Sequence, residues 1–256
     1  MNRKKHVRIL VVSAAVFAAV FVSSVPVVAQ TWIELSPATP SGAPPDPGFL
    51  PKPVHYDAVN NRLIVFKPGV PPGGVGNQVW VLTNANGLGG TPVWTPLTPT
   101  GTPPHSNILE SVVYDAATNR LIVYGGCAFN CSPALGDVFV LTNANGLGGT
   151  PVWSQSSVTN PQARTHHSAV YDPTNNRMTA FGGHFAFYGT DQNDTRILSN
   201  ANGVASPSSW TTLATSGGPP PIRAMHTTVY DGATNRMILY AGSNFQKNFC
   251  CFPLET

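Results

Sequence analysis

Charge is scarce in this chain. Lys, Arg, Asp and Glu together make up 10% of the residues, against roughly 25% in an average soluble protein, so charged helices do not cover its surface. Only 11 of the 256 residues are acidic, which leaves little for general acid–base work. No Gly-x-Ser-x-Gly, His-Glu-x-x-His, phosphate-binding loop or paired-carboxylate motif occurs. Cysteine is limited to four positions, and no second thiolate or His pair at finger spacing lies near Cys127 and Cys131, which argues against zinc. A basic field is missing as well. The formal charge is +3, but four of the 14 Lys and Arg residues and none of the acids lie in the first 29 residues, so the remainder carries 10 minus 11, or −1. Nothing is left to attract nucleic acid or anionic lipid.

What is present begins with MNRKKHVRILVVSAAVFAAVFVSSVPVVAQ, a basic start, an apolar run from Ile9 and small residues before Gln30. That is the pattern of a signal peptide, with cleavage expected after Ala29. The run is long enough for an uncleaved membrane anchor, but Ser23, Ser24 and Pro26 interrupt its end. Export, secreted or to the periplasm or cell envelope, is the expectation on either reading, with membrane association only if the segment stays attached.

Gly and Pro sum to 24 plus 25, about 19% of the chain, and they recur in register. The segments VHYDAVNNRLIVF, VVYDAATNRLIVY, AVYDPTNNRMTAF and TVYDGATNRMILY align on Tyr56, Tyr114, Tyr171 and Tyr230, which are 58, 57 and 59 residues apart. Such a period must be read before anything else. In each unit a short apolar run ends at Tyr-Asp, turn formers follow, and Arg opens a second run rich in β-branched and aromatic residues, which predicts a β-hairpin. Asp57, Asp115, Asp172 and Asp231 are suited to accept bonds from the next backbone amides, and Asn61, Asn119, Asn176 and Asn235 to adopt the left-handed conformation. A third strand follows, as in Gln78–Leu82 or Asp137–Leu141. LTNANGLGGTPVW, present unchanged at 82–94 and 141–153, then supplies a turn and the start of a fourth strand marked by Trp32, Trp94, Trp153 or Trp210.

Four short antiparallel strands per unit cannot bury both faces alone, so successive sheets must stack, and radial stacking gives a β-propeller. The Gly pairs closing the second strand (Gly125-Gly126, Gly182-Gly183), the Arg-x-x-His before the first (Arg164 to His167, Arg223 to His226) and the spaced Trp residues resemble kelch repeats from Trp32 to about Ser243. Unit one departs with Lys67-Pro68-Gly69 and unit four with Ala241-Gly242. The resemblance implies an all-β, kelch-type propeller of four-stranded antiparallel blades. The layout is a leader at 1–29, repeats at 30–243 (units about 32–94, 94–153, 153–210 and 210–243) and an atypical tail at 244–256. The chain enters on an orphan fourth strand and leaves after two strands of a fourth unit, whereas kelch propellers more commonly have about six or seven blades. An incomplete propeller of about four blades is therefore expected, from a reading frame whose ancestor continued.

Candidate chemistry centres on Arg164, His167, Arg223 and His226, which the resemblance places on loops near the propeller axis. They either line a ligand surface or bond loop carbonyls. Unit two carries Asn107 and Glu110 at the matching places, against one symmetric site. His166, His167 and His226 raise a metal reading, and the resemblance raises the copper site of galactose oxidase, but the tyrosines here belong to repeated hairpins and no cysteine sits comparably. The Asn-Ala-Asn-Gly turns (Asn84, Asn86; Asn143, Asn145; Asn200, Asn202) lack the carboxylates calcium sites usually recruit and read as turn structure. A disulfide between Cys127 and Cys131 suits an oxidising compartment, and the states of Cys250 and Cys251 stay open. No metal or cofactor is implied. The sequence favours a non-catalytic scaffold binding a protein or glycan outside the cytoplasm. The alternative is a carbohydrate-active or galactose-oxidase-like enzyme with its site in the propeller loops.

Overall fold

A computed structural model describes residues 7–11, 31–35, 53–69, 76–105, 108–127, 133–158, 163–185 and 190–244. Every regular element among them is a β-strand, and no helix among them is long and apolar enough to cross a membrane. The first two strands, β1 (Val7–Val11) and β2 (Thr31–Leu35), pair antiparallel. Blade 1 follows as β3 (Val54–Asp57), β4 (Arg62–Lys67), β5 (Gln78–Thr83) and β6 (Val93–Pro96). The short β7 (Thr100–Gly101) runs parallel to the outer strand of blade 2, which is built from β8 (Ser111–Asp115), β9 (Arg120–Tyr124), β10 (Val138–Thr142) and β11 (Val152–Gln155). Blade 3 is β12 (Ser168–Asp172), β13 (Arg177–Phe181), β14 (Thr195–Ser199) and β15 (Ser209–Leu213). A half-blade ends the described chain, β16 (Thr227–Asp231) paired with β17 (Arg236–Tyr240). Each whole blade is an antiparallel meander in sequence order.

The hairpin turns form for the reasons read from the sequence. Asp57 accepts from the amides of Val59 and Asn60 at 3.1 and 3.2 Å, and Asp172 from those of Thr174 and Asn175 at 3.0 and 3.3 Å. Asn61, Asn119, Asn176 and Asn235 all sit at φ between 50° and 53°. Strand alternation then divides the core. Along β9, Leu121 and Val123 join the cluster with Ile64, Phe66 and Val79 of blade 1, while Ile122 and Tyr124 join Met178, Ala180 and Leu198 of blade 3. Each central blade is thus apolar on both faces, and burying both takes a neighbour on each side.

The repeated phrase has a further use beyond turn formation. Asn145 and Asn202, the second Asn of each Asn-Ala-Asn-Gly, donate from their side-chain amides to Asp57 and Asp115 of the preceding blade at 2.7 and 2.8 Å. Arg62 and Arg120 of the preceding blade donate to the carbonyls of the same asparagines at 2.8 and 3.0 Å. Within the blade, Asn119 donates to the Asn145 side chain at 2.6 Å and Asn176 to that of Asn202 at 2.7 Å. Each join is therefore a fully bonded polar latch at the end of the blade that carries the hairpin turns.

The orphan status expected for Trp32–Leu35 does not hold, because β2 pairs with β1 over five residues. It also sits against blade 1 as a preceding fourth strand would. A Cβ built on Gly87 would lie 3.0 Å from the Leu35 side chain, matching the 3.2 Å between Gly146 and Leu97 one blade later. Trp94 and Trp153 are buried, whereas Trp32 is exposed. Cys131, Cys250, Cys251, Asn107 and the expected cleavage point lie outside the described residues.

Candidate functional site

Antiparallel meanders put the hairpin turns at one end of each blade and the connections between second and third strands, and between blades, at the other. The second end carries the Arg-x-x-His elements. There the middle residue of each incoming connection, Ile108, Thr165 or Ala224, bridges to the residue after the glycine position, Cys127, His184 or Ser243. The next residue, Leu109, His166 or Met225, holds φ of 66°, 55° and 57°. These three hand one another backbone bonds across blades: the His166 amide donates to the Leu109 carbonyl at 3.0 Å, and the Met225 amide to the His166 carbonyl at 2.9 Å. One backbone frame is therefore repeated under different side chains.

The glycine pairs exist to let this frame close. A Cβ on Gly125 would stand 2.7 Å from the Arg164 carbonyl and 2.9 Å from the His167 ring, both of the next blade. Gly182 meets the Arg223 carbonyl and the His226 ring at 2.6 and 3.0 Å in the same way. At φ of +71° and +64° neither position suits a side chain in any case. Blade 1, followed by a blade lacking the Arg-x-x-His element, has Lys67 in this place. Ala241 occupies it in the last half-blade, where the described residues place no following blade.

Arg164, His167, Arg223 and His226 are all buried. Arg164 donates to both carboxylate oxygens of Asp194 at 3.1 and 2.9 Å and to the Gly182 carbonyl at 3.0 Å. Arg223 donates to the carbonyls of Ala241 at 3.0 Å and Pro221 at 3.1 Å. Arg164 and Arg223 each fasten the incoming connection to the end of the second strand of their own blade. His167 lies edge-on to Tyr124 at 4.7 Å between centroids, and His226 to Phe181 at 5.4 Å. Burial, with the nearby Arg164 charge adding to it, holds His167 well below the usual imidazole value, and burial brings His226 down to about 4. Both rings are neutral packing elements at neutral pH, and they lie in different blade junctions.

His166, read from the sequence together with His167 and His226, instead packs with His184 and Asp191, which the sequence did not single out. The ring centroids of His166 and His184 lie 4.9 Å apart, His184 Nδ1 sits against an Asp191 carboxylate oxygen, and the Thr165 hydroxyl is 2.9 Å from His166 Nδ1. Burial, then the neighbouring His184, lowers His166 to about 4. For His184, burial outweighs the opposing pull of the Asp191 carboxylate. His184 follows a glycine pair and Asp191 lies in a loop of no repeated pattern, so their only signal was that His184 stands where the other units have Cys127 and Ser243. Among the described residues no group of three or more His, Cys, Asp or Glu is arranged to hold a metal ion.

Comparison with known proteins bears on this framework. The KLHDC2/KLHL20/DRC7 Kelch-repeats domain matches residues 54–256. A solved structure of YjhT is similar over 72% of this chain at 14% identity and a TM-score of 0.50, and this chain spans 56% of that structure's length. No curated protein matches the sequence.

Proposed function

The chain belongs to the kelch-repeat family, and from that premise we propose that it is an exported, non-catalytic scaffold that binds a protein or glycan outside the cytoplasm through the loop end of its blades. The observation that carries this reading is a contrast between repeats of one chain. The latch end keeps Asn-Ala-Asn-Gly in every whole blade, twice inside an unchanged thirteen-residue phrase, while the loop end puts half-buried Leu109 and exposed Met225, with buried His166 between them, at one repeated position of a shared backbone frame. A surface meant to recognise something needs varied side chains on a fixed frame. Arg164, His167, Arg223 and His226 serve that surface from beneath, as positioning residues of the loops. In the same reading the leader is removed after Ala29, and Cys127 pairs with Cys131 to pin one loop.

The enzyme alternative has one observation in its favour, the His166, His184 and Asp191 cluster. These groups are buried, which gives a substrate no approach, so binding is the reading we adopt. The test is a glycan array, together with cross-linking to envelope proteins, using residues 30–256. Met225→Glu on the loop end is expected to abolish any ligand signal and Leu147→Glu on the latch end to leave it unchanged. The reverse pattern, or ligand turnover lost in Asp191→Asn, would overturn the proposal. Peptide mapping without reduction is expected to link Cys127 to Cys131, and free thiols at both positions would refute that pairing.

A further inference from the structure

Each whole blade carries one Asn-Gly pair, Asn86-Gly87, Asn145-Gly146 or Asn202-Gly203, at the same place in the turn between its third and fourth strands. The first two lie in the identical phrase LTNANGLGGTPVW, and their turns make the same internal bonds. The side-chain oxygens of Asn86 and Asn145 accept from the amides of Leu88 and Leu147 at 2.9 Å, and from the side chains of Asn61 and Asn119 at 2.7 and 2.6 Å. The amides of Gly87 and Gly146 donate to the carbonyls of Asn84 and Asn143 at 2.9 Å. The two copies differ at the side-chain amide nitrogen. That of Asn145 donates to Asp57 at 2.7 Å, and Asn145 is only 2% exposed. That of Asn86, which is half-buried, donates to no group among the described residues. Asn202 is held as Asn145 is, by Asp115 at 2.8 Å.

We infer that Asn86 is a site of covalent modification by deamidation, and that the latches keep Asn145 and Asn202 as amides. A glycine after the asparagine carries no Cβ to hinder its own nitrogen. The Gly87 nitrogen gives its proton to solvent and attacks Asn86 Cγ. The new N–Cγ bond forms as the Cγ–Nδ2 bond breaks, and Nδ2 takes up a proton and leaves as ammonia. Water then opens the five-membered imide at either carbonyl, giving aspartate or isoaspartate and adding one negative charge to the chain. Nδ2 must come free for this reaction, and at Asn145 and Asn202 it first has to break a buried hydrogen bond to an aspartate. The product is opposed there as well, because a carboxylate in place of Asn145 would face Asp57 across the join, like charge against like. At position 86 an aspartate keeps both of its donors, Asn61 and Leu88. The latch thus protects the residue it is made from, and the copy of the turn outside a latch takes the modification.

The test follows the full chain by peptide mass during incubation at mildly alkaline pH. Cleavage at Arg62, Arg120 and Arg164 puts the two identical phrases on separate peptides. The Asn86 peptide is expected to gain about one dalton at least about tenfold faster than the Asn145 peptide, the factor by which one hydrogen bond to a charged group lowers the population of the opened amide. In denaturant the two are expected to react alike, because their sequence is the same. Asp57→Asn keeps an oxygen for the turn amides of Val59 and Asn60 and puts an NH2 where Asn145 needs an acceptor. This variant is expected to bring Asn145 up to the rate of Asn86 while Asn202 stays slow, which separates a released latch from an unfolded chain. Equal rates at Asn86 and Asn145 in the folded wild type overturn the proposal, as does an Asn86 that reacts only in denaturant. So does an Asn145 that stays slow in Asp57→Asn. None of these readouts involves a ligand, so the binding reading stands or falls separately.

Discussion

The junction between blades 2 and 3 and the junction between blade 3 and the β16–β17 half-blade begin alike and end differently. In both, a first and second strand face the preceding blade, and a histidine of the incoming loop packs on an aromatic of that blade, His167 on Tyr124 and His226 on Phe181. In the first, Leu198, Ala201 and Trp210 continue the cover over Tyr124, Val138 and Val140, and Asn202 reaches back to Asp115. In the second, third and fourth strands are missing among the described residues, and Tyr240 and Leu213 stay exposed. The loop frame alone aligns two blades; the outer two strands and the Asn latch are what seal them.

The sharpest way to break this comparison is to truncate an aromatic on each side of it. Trp153, buried edge-on to Phe66, is expected to lose about 3–5 kcal/mol as Trp153→Ala, the range for a buried large aromatic. Tyr240→Ala on the open edge should cost under about 0.5 kcal/mol in the leader-free chain. Equal denaturation midpoints would show that the two junctions do not differ in cover. Next in size, Gly125→Ala adds a methyl against the Arg164 carbonyl in a left-handed conformation and is expected to cost about 2–4 kcal/mol. Ala241→Gly, at the equivalent open position with φ of 59°, should change stability by no more than about 0.5 kcal/mol. A large loss at Ala241 would mean that something packs there.

Asp115→Ala tests the latch itself. It strands the Asn202 amide in a buried site and is expected to cost about 2–3 kcal/mol. Asp172→Ala, which has no following asparagine among the described residues, should lose about 1 kcal/mol less. The smallest effect is a slope with pH. Burial keeps His55, His166 and His226 neutral in the fold down to about 4, whereas an unfolded chain protonates them near 6.5. Between those values the unfolded state binds more protons, so stability falls on acidification, by up to about 1.4 kcal/mol per pH unit for each such histidine. Asp57, Asp115 and Asp194, held below the ordinary carboxylate value by hydrogen bonds that outweigh their burial, extend the loss below pH about 4. His167→Phe should flatten the upper part of the profile, as checked by denaturation midpoints from pH 7 to 4.

The hairpins were legible because their causes are local. An Asp, an Asn tolerant of positive φ and an Arg within a few residues specify each turn whatever lies beyond it. The latch was not legible, since Asp57 and Asn145 are 88 residues apart, although both recur in step with the repeat. For the predicted site residues, the kelch resemblance implied their loop, and the sequence hid their burial, because an arginine reads as exposed until its carboxylate is found, and Asp194 lies 30 residues after Arg164. β1 was hidden for another reason: an apolar run behind basic residues reads first as a leader, and only its pairing opposite Trp32 reveals the third-strand register.

The latch also has a direction. At both joins between whole blades, the preceding blade offers an aspartate and an arginine and the following blade an asparagine, so blade 2 carries both the socket and the plug. Whole units can therefore be duplicated or deleted in the coding sequence without damaging any surviving join. A gain or loss of a whole unit keeps each such join, whereas half a unit leaves a socket without its plug.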